Sequence, residues 1–352
     1  MKTKKLTEID FSNQHFFIGI DVHKKQWNVS IRTNNIALKT FSMNPNPEDL
    51  QKHLTTHYPQ GIYHSVYEAG YSGLWIDEKL RTLGIENIVV NPADVPTKAK
   101  EKLTKTDRVD SRKLARELEN GTLRGIYIPS KYNQELRSLC RLRYKLSRDQ
   151  ARIKNRIKGH LAYYGKAIPE EYPWSNRFIQ QLKEIEFEYK LGKDYLVYSI
   201  EELESIRKRI AEITKKLRES VPRELIEQLM MSVPGVGFLT AATFYCEIMD
   251  MRRFKRFEEL ASYIGLIPST FSSGQREKTY GLTVRRNKYL REMLIESAWI
   301  ALRKDPALLM KFTELSKRKE KSRAIVSIAK KLLRRIRHLW LEEEQYICGL
   351  IA

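Results

Sequence analysis

A chain of 352 residues with 41% hydrophobic and 30% charged content is an ordinary soluble protein by composition, with length enough for two or three domains. Its charge is less ordinary. Lys and Arg number 64 against 43 Asp and Glu, and the resulting +21, with a pI near 9.7, points to a polyanionic partner: nucleic acid first, although a membrane surface attracts the same charge. Met1-Lys2-Thr3-Lys4-Lys5-Leu6-Thr7-Glu8 turns polar at once and no later segment approaches the length that spans a bilayer, so a cytoplasmic protein without a membrane partner is expected. Cys140, Cys246 and Cys348 are too widely spaced for a disulfide framework or a zinc site and read as small apolar fillers.

The first element is a short apolar run over 16–21 that ends in Asp21, followed by the alternating strand of 27–31 and a third strand over 36–42. A helix over 47–58 leads to a strand over 63–68 that again ends in an acid, Glu68, before Ala69-Gly70. Another helix at 73–83 then leads to the apolar strand 88–90. Three strands followed by alternating helix and strand predict a mixed sheet with helices on its faces. His53 and His57 stand at helical ligand spacing without a third ligand nearby and read as surface.

Lys105-Thr106-Asp107-Arg108-Val109-Asp110-Ser111 then sets two carboxylates three residues apart at the start of a helix that Thr106 caps and Leu114 and Leu118 anchor. Acids in a first helical turn can simply complement the dipole, and acids beside turns are common. Together, however, Asp21, Glu68, Asp107 and Asp110 are two acids at strand tips and two on a helix that can pack across them. Four carboxylates converge only with compensation, which one or two Mg²⁺ ions, or Mn²⁺, would supply. In that setting two metals clamp the attacking and leaving oxygens of a phosphoryl displacement.

Between Lys131 and Lys166 eleven Lys or Arg face only Glu135 and Asp149, while Leu139, Leu146 and Ile153 recur every seven residues beside Leu136, Leu142 and Ile157. This predicts a long basic helix paired with another, within the chain or between chains. A break at 168–174 and a solvated helix over 201–220 follow. Ser232-Val233-Pro234-Gly235-Val236-Gly237 reads as a hairpin opening a helix. Gly235 and Gly237 there either offer amides to a DNA phosphate or make a plain tight turn. Ser272 and Ser273, in Ser269-Thr270-Phe271-Ser272-Ser273-Gly274, are turn residues by sequence chemistry alone. Lys311 to Arg337 holds another eleven cations against Glu314 and Glu320, and Ile325, Ile328, Leu332, Ile336 and Leu339 mark the apolar stripe of a last helix.

Gly19-Ile20-Asp21-Val22-His23-Lys24, Tyr67-Glu68-Ala69-Gly70, Val90-Asn91-Pro92 and Lys105-Thr106-Asp107-Arg108-Val109-Asp110 resemble the successive motifs of the DEDD transposases of the one-ten family of bacterial insertion sequences. Ser111, directly after the last of these motifs, stands where Ala is common. Gly265-Leu266-Ile267-Pro268, the Ser-Gly loop, Gly281 and Asn287-Lys288-Tyr289-Leu290-Arg291 resemble the C-terminal domain of the same family, where Val284-Arg285-Arg286-Asn287 replaces the usual Lys-Arg-Gly-Asn. The resemblance implies a ribonuclease H/RuvC-like domain with Asp21, Glu68, Asp107 and Asp110 binding Mg²⁺. It also implies a loop serine as recombination nucleophile, Ser272 first and Ser273 second, in a composite site between protomers. The implied partners are donor and target DNA, a structured noncoding guide RNA, and further copies of the chain as dimers and a tetramer. Sugar kinases and actin-like ATPases also open on Ile-Gly-Ile-Asp, but they need a glycine-rich turn where this chain has Val22-His23-Lys24-Lys25.

The expected fold is therefore α/β plus α: a RuvC-like mixed sheet with helices over 1–125, a basic helical coiled-coil linker over 126–225, a mainly helical serine-bearing domain over 226–300 and a basic helical tail over 301–352. The expected function is Mg-dependent DNA strand cleavage and exchange through a serine–DNA link. A Holliday-junction nuclease without a covalent step and a non-catalytic nucleic-acid-binding protein are the alternatives. Lys105, Arg108, Arg141, Arg143, Lys145, Arg148, Arg152, Lys154, Arg156, Lys158, Arg285, Arg286 and Arg291, with Gly235 and Gly237, are the expected nucleic-acid contacts.

Overall fold

The computed structural model describes residues 10–97, 106–168, 173–273 and 276–347. The chain divides into two compact units, Met1–Ile128 and Pro129–Ala352. In the first, β1 (His15–Val22), β2 (Trp27–Thr33) and β3 (Ile36–Met43) form an antiparallel meander whose second turn is made by Asn34 and Asn35, both at positive φ. The chain then passes through α1 (Pro47–His57) to β4 (Ile62–Glu68) and through α2 (Trp75–Thr82) to β5 (Glu86–Val90). β4 pairs parallel with β1 and β5 parallel with β4, so the strand order is β3-β2-β1-β4-β5. This is the mixed sheet with helices that the sequence predicts.

The pleat decides what each face carries. Phe16, Ile18 and Ile20 of β1 and Tyr67 of β4 are fully buried in a layer with Leu50 and Leu54 of α1 and Ile76 and Leu80 of α2. By alternation Gly19 and Asp21 of β1, and Val66 and Glu68 of β4, share the opposite face, where α3 (Asp107–Glu119) packs Leu114 against Val66, Val90 and Val95. His53 is not the surface residue expected from its spacing. It is half-buried, its ring 4.4 Å from Phe41 and 4.1 Å from His57, and burial first, then the neighbouring His57 and Lys39, push its imidazole down to about 4.

α3 lies close on β1 because residue 19 has no side chain. A Cβ built there would stand 2.1 Å from the Ser111 carbonyl oxygen and 2.4 Å from the Ala115 nitrogen. Gly19→Ala should therefore push the helix outward and destabilise the first unit by about 3 kcal/mol, the upper part of the overpacking range. Urea unfolding followed by circular dichroism checks this, and an unchanged midpoint would refute the close approach.

In the second unit α4 (Lys131–Tyr163), capped by Ser130, pairs within the chain with α6 (Lys190–Ser220), and α5 (Asn176–Glu184) closes their shared core of Ile153, Ile157, Leu161, Leu196, Ile200 and Leu203. Leu142, placed near the predicted stripe, is 45% exposed. α6 starts at Lys190, earlier than the predicted 201, and Gly192 in its first turn lies against the Phe187 ring, which a Cβ there would meet at 2.6 Å. The helices α7 (Phe238–Ile248), α8 (Phe257–Ile264), α9 (Lys288–Ala301), α10 (Pro306–Ser316) and α11 (Lys321–Glu342) share a core to which α11 gives the predicted stripe. Cys140 and Cys246 are buried free thiols in that core; Cys348 lies outside the described residues. Ser272 and Ser273 lie on a strand instead of in a turn: β6 (Pro268–Ser273) pairs antiparallel with β7 (Arg276–Leu282), Ser272 opposite Glu277. No helix among the described residues is long and apolar enough to cross a membrane.

Candidate active site

The α3 face of the sheet brings the four expected acids to one end. Asp21 and Glu68 end neighbouring parallel strands in register, Ile20 beside Tyr67, and α3 begins beside them with Asp107 and Asp110 in its first turn. Thr106 caps that turn, its hydroxyl accepting from the Val109 amide at 3.4 Å. Ser111 is fully buried with its hydroxyl 3.0 Å from that of Ser30 on β2 and bonded to the Arg108 carbonyl, so the departure from Ala is absorbed by a local bond.

Two basic side chains outside the expected site residues stand among these acids. His23 Nε2 lies 3.2 Å from Asp21 Oδ2 and 3.6 Å from Asp107 Oδ1, and ligand atoms of these three residues all fall within 4.8 Å of one another. Lys113 Nζ lies 3.0 Å from Asp110 Oδ1 and 3.6 Å from Glu68 Oε1, with only 8% of its side chain exposed. The Asp21 carboxyl is held above its ordinary range, by burial first and then by the charges of Asp107 and Asp110, against the opposing effect of His23. A carboxylate in that state gains from a nearby cation. The donor set fits a hard divalent ion, since it is rich in carboxylate oxygens gathered at one end of the sheet. Asp21, Glu68, Asp107 and Asp110 would hold it, and His23 could join them as a neutral imidazole.

Nucleic-acid contacts expected on the second unit divide by what else holds them. Arg141 donates two bonds of 2.7 Å to Glu247, a residue of α7 with no exposed surface, which also accepts from Asn287 Nδ2 at 2.8 Å and has Arg137 4.0 Å away. Glu247 is thus the centre of a buried polar cluster joining α4, α7 and the cap of α9. Arg143 bonds Thr214, Arg148 pairs with Glu292, Arg152 with Asp149 and Arg156 with Glu202, while Lys154 and Lys158 stand over the Trp174 ring; Lys145 and Arg108 are exposed. Lys105 lies outside the described residues.

Gly235 has φ +85°, and a Cβ there would lie 2.2 Å from the Ser297 carbonyl oxygen, so packing against α9 requires this glycine whether or not a phosphate visits. Gly237 caps α7 in open space. Arg286 packs its Cβ on Gly265, Arg291 bonds the Thr283 carbonyl, and Arg285 is exposed beside them.

Two family profiles match the chain. Residues 18–165 match one described as a DEDD transposase, and residues 227–314 match one described as the transposase IS116/IS110/IS902 family. The chain is 30% identical over 236 residues to a protein named putative transposase y4qE of Sinorhizobium fredii, covering 66% of this chain and 57% of that protein. It is 29% identical over 276 residues to a transposase for insertion sequence element IS1111A of Coxiella burnetii, covering 76% and 74%. A transposase for insertion sequence element IS1533 of Leptospira borgpetersenii is 27% identical over 300 residues, covering 80% and 84%.

Proposed function

We infer that this chain, which belongs to the IS116/IS110/IS902 transposase family, cuts and rejoins DNA with Asp21, Glu68, Asp107 and Asp110 as its metal-binding acids and Ser272 as its nucleophile. The observation that carries this reading is the convergence of the four carboxylates at the tips of β1 and β4 under α3. A bound Mg²⁺ would neutralise charge on the scissile phosphate and on the oxygens entering and leaving phosphorus. The Ser272 Oγ–P bond forms as one P–O ester bond to deoxyribose breaks, and the serine proton passes to the leaving oxygen. Attack by the hydroxyl of a second DNA end reverses the step and joins new strands. A serine hydroxyl is weak until a metal or base activates it, so the reading needs Ser272 to reach the acids with DNA between them, in a site shared by protomers of a dimer or tetramer.

The basic helices and the exposed Lys145 and Arg108 supply sequence-independent grip on donor and target DNA. Guidance by a structured noncoding RNA belongs to the same reading, as does the division of the chain at 125, 225 and 300 into catalytic, linker, serine-bearing and tail segments. The test combines the purified protein with its element's noncoding RNA, matched donor and target DNA, and Mg²⁺, and resolves products on denaturing gels with and without protease. A protease-sensitive DNA adduct that requires the RNA and vanishes in Ser272→Ala is the expected result. Free cut ends with no adduct, unchanged by that substitution, would replace this reading with hydrolysis by water.

A further inference from the structure

The four acids are not equivalent, because one half of the cluster already contains a cation. Lys113 rises from α3 one turn after Asp110, is almost wholly buried, and puts its ammonium 3.0 Å from Asp110 Oδ1 and 3.6 Å from Glu68 Oε1. A Mg²⁺ or Mn²⁺ ion shared by those two carboxylates would need to sit about 2.1 Å from an oxygen of each, which is the gap the ammonium fills. Two like charges in that gap repel strongly, and the short helical step from Asp110 to Lys113 gives the side chain little room to withdraw. The other half differs. Asp21, His23 and Asp107 hold ligand atoms within 4.8 Å of one another, and the cation-capable group there, His23, is half exposed and can ligate as a neutral ring or swing away.

We propose that Lys113 is a built-in cation that occupies the Glu68–Asp110 half of the site, so that the DNA-free protein takes a single divalent ion, held in the Asp21–Asp107 half. Lys113 is on this view a positioning residue: it keeps Glu68 and Asp110 together and sets how many ions the acids admit. The proposal rests on the reading of the acids as a metal site.

The probe is Mn²⁺ alone, titrated into the full chain without DNA and counted by electron paramagnetic resonance. Site-bound ions are those absent from a variant with Asp21, Asp107 and Asp110 changed to Asn and Glu68 to Gln. The wild type should bind one such ion. Lys113→Met, which keeps the stem and removes the charge, should bind two, with the exchange-broadened signal of a close Mn²⁺ pair, and Lys113→Arg should return to one. Two ions on the wild type, or one on Lys113→Met with its circular dichroism unchanged, would overturn the role of Lys113 and leave the metal reading standing. Should Lys113→Met not fold, the wild-type count and the count on Lys113→Gln decide in the same way. No site-bound Mn²⁺ on the wild type would overturn the metal reading and this proposal with it.

Discussion

Asp21→Asn should lose DNA cleavage by roughly a thousandfold or more and yet, with chelator present, melt above the wild type. Both effects come from one carboxylate. On the proposed function it would be a metal ligand in the reaction, and several kcal/mol of metal-derived stabilisation corresponds to about three powers of ten in rate. In the metal-free fold it is a charge half removed from water and facing Asp107 and Asp110, which together hold its carboxyl above the ordinary value of 3.8 in spite of His23. The sign follows from proton linkage. Near pH 3.8 the folded protein holds a proton that the unfolded chain is losing, so this group favours the fold at low pH and loses that contribution as pH rises through its folded value. Above that value the penalty is complete, and Asn removes it. The melting difference between variant and wild type should therefore be small at the acid end and grow toward neutrality, then reverse when Mg²⁺ is added, because only the wild type gains a bound ion. Thermal melts from pH 4 to 8 with chelator and with Mg²⁺ measure it. A variant that melts below the wild type at pH 7 in chelator would refute the account of Asp21 as an uncompensated charge.

How much of this site the sequence carried depends on which physical signal each residue leaves. Asp21 and Glu68 were legible because each closes an apolar run with strand alternation, and a charged side chain at such an edge stands out. Asp107 and Asp110 were legible through their spacing behind a capping Thr106. Lys113 left no such signal. Between Arg112 and Leu114 it reads as one more solvated cation on a helix of mixed charge, and only the placement of α3 across β1 turns it inward. That placement depends in turn on Gly19, which in sequence is one letter of a motif and in structure is the reason the helix can come so near. His23 was visible in the motif but lies just past a strand end, where a turn residue is the plain reading. The serine pair reads as a turn by sequence chemistry for a different reason: Gly274-Gln275 separates two short polar runs whose pairing, Ser273 with Arg276, lacks the apolar alternation that marks a strand.

Glu247→Ala should strongly destabilise the second unit, by about 3 kcal/mol, the lower end of what breaking a buried pair costs, because it takes the shared acceptor from Arg137, Arg141 and Asn287 while Arg141, 40% exposed, keeps water as a substitute. Glu247 is the one acid in the apolar helix α7, with no exposed surface, and it meets Arg141 through two bonds of 2.7 Å, Arg137 at 4.0 Å and the Asn287 side-chain amide at 2.8 Å. An acid inside the run Ala241-Ala242-Thr243-Phe244-Tyr245-Cys246-Glu247-Ile248 was itself a clue, since a buried charge needs a buried partner. Arg141 reads instead as a nucleic-acid contact, and Arg137, one helical turn before it, only as part of the positive charge of its segment. Removing Arg141 as well should restore part of the loss, so Glu247→Ala with Arg141→Met should be more stable than the two single losses added together; urea unfolding of the four proteins measures that coupling. The same arginine separates structure from recognition. A cation that neutralises a DNA phosphate contributes about 0.9 to the slope of log affinity against log salt. Arg141→Met should leave that slope unchanged because its guanidinium is committed to Glu247, whereas Lys145→Met should lower it. A slope that falls in Arg141→Met while stability holds would mean that Glu247 releases the arginine to DNA, and the cluster would then be a contact surface and not a fixed joint of the fold.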